Sequence, residues 1–278
     1  MFARHKSALF PISLLLAMGL APRPLPAETA PQSPIEWVRK AVHNEVRSVS
    51  DDSRLFRYVL KKENNSGTSV HQMVEMKDGI LARTLEWNGR TLTAEEREKE
   101  KRKLQALIDD PEERKRKFRE QNDDAQRVLR LLRALPDALL YTFDGNESMD
   151  GRDTLRLRFT PNPRYSGNSK ETYALRAASG MIWIDTADAR VARFDATLTD
   201  DINIGFGLLG RINRGGHMLL EQKVVGEDQW RIVRLDIDAS GKVFLFKSIR
   251  IKQHQQGSDY QPVPQMTLAD AVQFLKQG

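Results

Sequence analysis

Residues 179–252 constrain the fold most, because they alternate apolar and polar side chains in short runs separated by turn residues. Alternation with a period of two is typical of strands that bury one face. Five segments show it: residues 181–185, 191–198, 218–225, 230–237 and 243–251. In the second segment, Phe194, Ala196 and Leu198 fall on the same side. The stretch therefore predicts an antiparallel sheet built from consecutive strands.

The first residues have the layout of a secretory signal peptide. Arg4 and Lys6 precede an apolar run over residues 7–20, and Ala27 offers a small residue for cleavage. An uncleaved membrane anchor is the alternative, but the run is shorter than the ~20 apolar residues that a span needs. We expect residues 1–27 to be removed and the protein to be periplasmic or secreted, with peripheral or no membrane contact after cleavage.

The charge balance argues against nucleic acid as a partner. The chain has 44 basic and 38 acidic residues, and its formal net charge is +6. Three of the basic residues, Arg4, Lys6 and Arg23, lie in the leader, so cleavage lowers the net charge to +3. The remaining bases are interleaved with acids and form no basic patch. There is no cysteine, which excludes disulfides and a lipid-modified cysteine at the cleavage site.

The N-terminal third predicts one helix followed by a meander of strands. Ser33 and Pro34 are typical of a helix start, and apolar residues then recur at helical spacing. Alternating segments follow at residues 56–61, 70–76 and 80–87. The third of them ends in the pair Asn88 and Gly89, which suits the positive φ angles of a type I′ hairpin turn.

A charged helical hairpin is predicted next. Thr93 and Glu96 can form a capping box, and residues 95–103 are all charged, with both signs mixed. A second helix should start at Asp110 and end near Leu135. One interpretation is a solvated hairpin that packs on the sheet through its leucines. The other is a mobile cover over a cavity.

The sheet should resume at residues 139–143 and 155–159 and continue through residues 179–252. A polar linker rich in glutamine is expected after it, followed by a short closing helix that Thr267 caps. Strands before and after the hairpin need each other to bury their faces. We therefore expect one α+β domain, residues 28–278, with a helical insertion at about residues 93–135.

No motif predicts catalysis or a metal or organic cofactor. Residues 205–210 match the dinucleotide pattern G-x-G-x-x-G, but the following residues break a helix, so we interpret these glycines as a bend between strands. The histidines lack ligand spacing, and no nucleophile elbow is present. A hydrolase that uses scattered acids or serines remains an alternative without a supporting motif.

Large apolar side chains in the last strands exceed what one buried face requires, since both sides of residues 243–246 are apolar. They either pack in the core or line a pocket for an acyl chain or another apolar ligand. The candidate lining residues are Trp183, Phe194, Leu198, Phe206, Leu220, Trp230, Phe244 and Phe246.

The order of these parts resembles the periplasmic LolA/LolB lipoprotein carriers, the RseB sensor and bacterial proteins related to outer-membrane lipoprotein-sorting proteins. Residues 88–93, 180–185, 205–210 and 244–247, together with Trp230, carry the resemblance. It implies a strongly curved antiparallel sheet, an open half-barrel, covered by the N-terminal helix and the charged hairpin. It also implies a non-enzymatic protein that binds lipid or lipoprotein acyl chains on the concave face. The alternative is an interaction or sensor module whose charged hairpin contacts an envelope protein.

Overall fold

An open antiparallel sheet organises the fold. The structure is a computed structural model that describes residues 33–49, 54–167, 172–204, 210–226, 228–243 and 247–277. The predicted signal peptide, residues 1–27, lies outside the described residues.

The described residues form four α-helices, one short 3₁₀ helix (Thr172–Ala177) and thirteen strands. The α-helices are α1 (Pro34–Val49), α2 (Ala94–Asp109), α3 (Pro111–Ala138) and α4 (Leu268–Gln277). The strands before α4 are β1 (Leu55–Asn64), β2 (Gly67–Met76), β3 (Gly79–Trp87), β4 (Arg90–Thr91), β5 (Leu139–Met149), β6 (Arg152–Pro161), β7 (Ala178–Asp185), β8 (Val191–Leu198), β9 (Ile202–Ile204), β10 (Gly210–Ile212), β11 (His217–Val225), β12 (Gln229–Val243) and β13 (Lys247–Val263).

The strand order across the sheet is β4-β3-β2-β1-β13-β12-β11-β8-β7-β6-β5. The short strands β9 and β10 pair with each other, and β10 also pairs with the end of β12. All pairings are antiparallel, and β4 and β5, at the two ends, do not close the sheet into a barrel. The predicted α+β fold with a curved, open antiparallel sheet is therefore confirmed.

Two buried cores hold the helices on the sheet. The first joins α1, the C-terminal half of α3 and strands β5 to β8 through Val38, Leu135, Leu157, Ile182 and Phe194. The second joins α2 and α4 to β2 and β3, and Phe118 of α3 packs against it. Helix α3 reaches both cores because its 28 residues extend for about 42 Å at 1.5 Å each.

Local signals in the sequence are confirmed where the structure describes them. Asn88 and Gly89 have φ angles of 49° and 75°, as a type I′ turn requires, and Trp87 pairs with Arg90 across the turn. At the start of α2, Glu96 N donates to Thr93 Oγ1 at 3.2 Å, and Thr93 N donates to Glu96 Oε2 at 2.8 Å. This is the predicted capping box.

Two predictions of strand and linker positions are wrong. The segment 243–251 is not one strand, since β12 ends at Val243 and β13 begins at Lys247. The glutamine-rich segment before Thr267 is not a linker but the second half of β13, which pairs with both β1 and β12. Backbone hydrogen bonds to a strand on each side hold this segment in the sheet although it is rich in polar side chains.

The helical insertion ends slightly later than expected. Helix α3 continues through Pro136 to Ala138. Both Leu135 and Ala138 are buried in the first core, and this packing offsets the hydrogen bond that Pro136 cannot donate.

Candidate functional site

The predicted lining residues Phe194, Leu198 and Leu220 lie together on one side of the sheet. Phe194 pairs in register with Ile182 on β7 and with Leu220 on β11. Phe194 belongs to the first core, and Leu198 and Leu220 are half-buried against it. We call this side of the sheet the inner face and the opposite side the outer face.

Trp183 lies on the outer face, in register with Arg193 on β8 and Arg156 on β6. Its indole Nε1 donates to Glu147 Oε2 at 2.9 Å, and the Arg193 guanidinium lies 5.0 Å from the ring centre. The hydrogen bond from Trp183, together with that from Arg156, holds the pKa of Glu147 below its usual value. Trp183 is thus packed under charged groups on the outer face, whereas Phe194 lies on the inner face.

Trp230 shares a small core with Trp183, and both side chains are buried. Its Nε1 donates to Asp188 Oδ2 at 2.9 Å, and the Arg152 guanidinium lies 5.3 Å from its ring centre. The structure therefore divides the described candidates between two clusters. The other three candidates, Phe206, Phe244 and Phe246, lie outside the described residues.

Among the described residues, the helices leave the centre of the sheet without extensive cover on its inner face. In the parts of the chain that the structure describes, the helices pack on β2, β3, β5, β7 and β8, and none makes an extensive contact with β11, β12 or β13. The inner row that starts at Phe194 and Leu220 continues to Leu235 on β12. A parallel row runs from Ala196 through Met218 to Ile237.

These rows leave a half-buried apolar strip, which we call the inner patch: Leu198, Met218, Leu220, Leu235 and Ile237. On the next strand, β13, their register partners are polar. Leu235 pairs with Gln255, and Ile237 pairs with Gln253. The inner patch is therefore bordered by the first core on one side and by glutamines on the other. An apolar surface with a polar border suits an elongated apolar ligand.

The outer face of the same strands carries interleaved charges. Asp236 accepts hydrogen bonds from Arg234 and lies against His254, and His217 lies 2.9 Å from Asp195. Burial alone would raise the pKa of Asp236, but the bonds to His254 and Arg234 outweigh it and lower the pKa. Ion pairs within and between neighbouring strands therefore dominate the part of the outer face formed by these residues.

An aromatic pair anchors β1 to β13. Tyr58 and Tyr260 stack with ring centres 4.8 Å apart, and Tyr260 Oη donates to Ile232 O at 2.8 Å. Burial raises the pKa of Tyr260 to about 12 and also raises that of Tyr58. Both phenols are therefore neutral at physiological pH and act as packing groups.

A cleft of about 740 Å³ lies beside the first strand after α3. Residues of α1, of the end of α3, of β5 and of the loop after β6 line it, among them Arg39, Leu140, Tyr141, Arg164 and Tyr165. Sequence reasoning missed this cleft. The sequence indicated a strand at residues 139–143. The alternation of apolar and polar residues in a strand does not tell whether that strand lies at the edge of a sheet, beside a cleft.

Residues that could hold a metal do not converge. In the described ranges, no three histidine, aspartate or glutamate side chains are grouped as ligands. Gly210, the last glycine of the G-x-G-x-x-G pattern, begins strand β10 and pairs with Ile204 of β9. The start of a strand lacks the helix N-terminus that a dinucleotide pyrophosphate needs.

In the part of the chain that the structure describes, no helix has both the length and the apolar composition to span a bilayer.

Comparison with protein-family models finds no match, and comparison with curated protein sequences finds none either. Several solved structures are similar at low identity. A putative outer membrane lipoprotein-sorting protein domain from Vibrio parahaemolyticus is 12% identical over 86% of this chain and 99% of that chain, with a TM-score of 0.32. A DUF1329 family protein from Desulfovibrio piger is 14% identical over 86% and 97%, with a TM-score of 0.33.

A LolA superfamily protein from Nitrosomonas europaea is 11% identical over 87% of this chain and 97% of that chain, with a TM-score of 0.29. Similarity at such TM-scores transfers no residue role and no ligand to this chain.

Proposed function

We propose that the protein is a non-enzymatic binding protein that holds a lipid, or the acyl chain of a lipoprotein, on the inner patch. One observation carries the proposal. The apolar row from the buried Phe194 continues through Leu220 to Leu235, which are half-buried on strands that no helix of the described residues covers extensively.

The energetics favour an apolar ligand. A ligand that removed about 200 Å² of apolar surface from water would gain about 5 kcal/mol at ~25 cal/mol per Å². The glutamines that pair with Leu235 and Ile237 can border the polar end of such a ligand. Because the leader predicts export, lipids and lipoproteins of the cell envelope are the apolar ligands that the protein would meet.

Native mass spectrometry of the exported, leader-free protein tests the proposal. We expect adducts with the masses of phospholipids or acyl chains, and displacement of these adducts by a fluorescent fatty acid. A preparation without adducts that also fails to bind the fluorescent fatty acid would contradict the proposal. The alternative, a protein-interaction module that uses the charged hairpin of α2 and α3, predicts partner capture that is lost when residues 95–134 are deleted.

A further inference from the structure

Strand β5 forms one end of the described sheet, and no described strand pairs with its outer edge, which we call the free edge. It pairs with β6 on one side, and no other strand follows it in the described sheet. At its start, Asn162 N donates to Ala138 O at 2.9 Å. Since backbone groups of an antiparallel strand alternate in direction, the N–H and C=O groups of Leu139, Tyr141 and Phe143 point away from β6.

The first half of this edge lacks the usual protection against strand pairing. Leu140 and Phe143 are 50% and 57% exposed, and residues 139–143 contain no charge and no proline. Protection starts only after Phe143, where the register shifts at a bulge before Gly145. At the opposite end of the sheet, by contrast, the terminal strand β4 is two residues long.

The cleft of about 740 Å³ lies beside this unprotected edge, because Leu139, Leu140 and Tyr141 form part of its lining. Two exposed arginines, Arg39 of α1 and Arg164, also line the cleft. Neither arginine has an ion-pair partner among the described residues, although the carboxylate-bearing Asp137 is part of the same lining. The side chains around the cleft therefore carry an excess of positive charge.

We propose that the free edge of β5 and the adjoining cleft form a docking site for an extended segment of another protein, in which acidic residues accompany apolar ones. The segment would add to the sheet as an antiparallel or parallel strand, as in β-strand addition. Main-chain hydrogen bonds to Leu139, Tyr141 and Phe143 would hold it. Its apolar side chains would cover Leu140 and Phe143, and its acidic side chains would meet Arg39 and Arg164.

A second copy of β5 fits this site less well. Its segment 139–143 carries no acid that could face Arg39 and Arg164. The next acid toward the C-terminus, Asp144, already accepts hydrogen bonds from Arg156 and Arg158 at 2.8 Å each. The docking site is separate from the inner patch, so the two proposals can fail independently.

Selection from a phage-displayed library of short random peptides against the full leader-free chain tests the site. We expect the enriched peptides to alternate apolar residues with Asp or Glu. One of them, synthesised with a fluorophore, should bind Phe143→Pro and Leu140→Lys about tenfold more weakly, because the first variant lacks a main-chain donor and the second lacks apolar cover. The double variant with Arg39→Glu and Arg164→Glu should prefer the peptide in which Lys replaces the acids.

Two controls keep the result specific. N-methylation of alternate amides of the peptide should abolish binding for one set of positions and spare the other, as strand addition requires. Thermal unfolding by circular dichroism checks that Leu140→Lys, whose side chain is exposed, leaves the fold intact. Three outcomes would overturn the proposal. The library enriches no peptide, the peptide binds equally to all variants, or the protein forms a dimer that Phe143→Pro dissociates.

Discussion

Glu45 of α1 and Arg190, in the turn between β7 and β8, form a two-pronged ion pair. Arg190 Nε lies 2.9 Å from Glu45 Oε1, and Arg190 Nη2 lies 3.0 Å from Glu45 Oε2. Glu45 Oε1 also accepts a hydrogen bond from Val191 N at 2.9 Å, and the Glu45 side chain is only 8% exposed. One carboxylate therefore fixes the end of the N-terminal helix to the start of a core strand.

Replacing Glu45 should be costly for this reason. We expect Glu45→Ala to lower the free energy of unfolding by about 3 kcal/mol, because it leaves a buried arginine without its counter-charge. Urea denaturation measures the change. The matched control is Glu113→Ala, since Glu113 lies 3.6 Å from Arg116 in an exposed pair on α3, and it should change stability by less than about 0.5 kcal/mol. Equal effects of the two variants would contradict the assigned role.

Gln121 forms hydrogen bonds that hold the first half of α3 on the sheet. Its side chain accepts from Ile80 N at 2.9 Å and donates to Ile80 O at 2.8 Å. Losing both hydrogen bonds in Gln121→Ala should cost about 1–2 kcal/mol. Hydrogen exchange should become faster in residues 111–125, whereas Gln126→Ala, at an exposed position, should leave it unchanged. Unaltered exchange in the Gln121 variant would show that the hydrogen bonds to Ile80 do not hold this half of the helix.

Lipid binding should depend on the inner patch. Leu235→Glu places a carboxylate in the middle of the apolar strip, and we expect the affinity for a fluorescent fatty acid to fall by at least ~tenfold because the charge must be desolvated. Val128→Glu makes the same change at an exposed apolar residue of α3, outside the patch, and should bind as the unmodified protein does. If both variants retain binding, the ligand lies elsewhere.

Acid should destabilise the fold through Asp185. This carboxylate is 1% exposed and accepts hydrogen bonds from Arg152 Nε and from Asp188 N, each at 2.7 Å. Burial alone would raise its pKa, but the bonds from Arg152 and Asp188 outweigh burial and lower the pKa. The stability that this group contributes is therefore complete above the unfolded pKa of about 3.9 and is lost as the pH falls through the lower folded pKa.

We accordingly expect the free energy of unfolding to decrease below about pH 4. The decrease should be smaller in Asp185→Asn, which is less stable at neutral pH but has no carboxyl group to protonate. Asp153→Asn, at an exposed site, should keep the full acid dependence. Parallel pH profiles for the native protein and Asp185→Asn would rule out this ion pair as a source of acid sensitivity.

Local features were predictable from the sequence where one short segment contains all the information. The turn at Asn88 and Gly89, the capping box of Thr93 with Glu96 and strand β8 depend only on neighbouring residues. The second half of strand β13 was missed because its glutamines are held by partners far away in the chain. Lys61 pairs with Gln256, and Leu235 pairs with Gln255.

The candidate site was only partly predictable for the same reason. Alternation groups Phe194 with Leu198, and the structure keeps them together. Alternation does not show that Trp183 and Phe194, on adjacent strands, face opposite sides of the sheet. Their relative orientation depends on the register between β7 and β8, which contains a bulge after Trp183. The sequence alone does not distinguish Leu235 and Ile237 from other apolar strand residues. They become candidates because no helix of the described residues packs extensively on their strand.

The pairing of Leu55 with Val263 has a consequence for how the chain is made. Among the described residues, strands β1 to β3 join the other strands only through β13, which follows all the other strands in the chain. The hairpins can form early, but the two parts of the sheet cannot unite before β13 has been synthesised, and contacts between such distant residues form slowly. During synthesis, β1 to β3 therefore wait for the strand that completes the sheet.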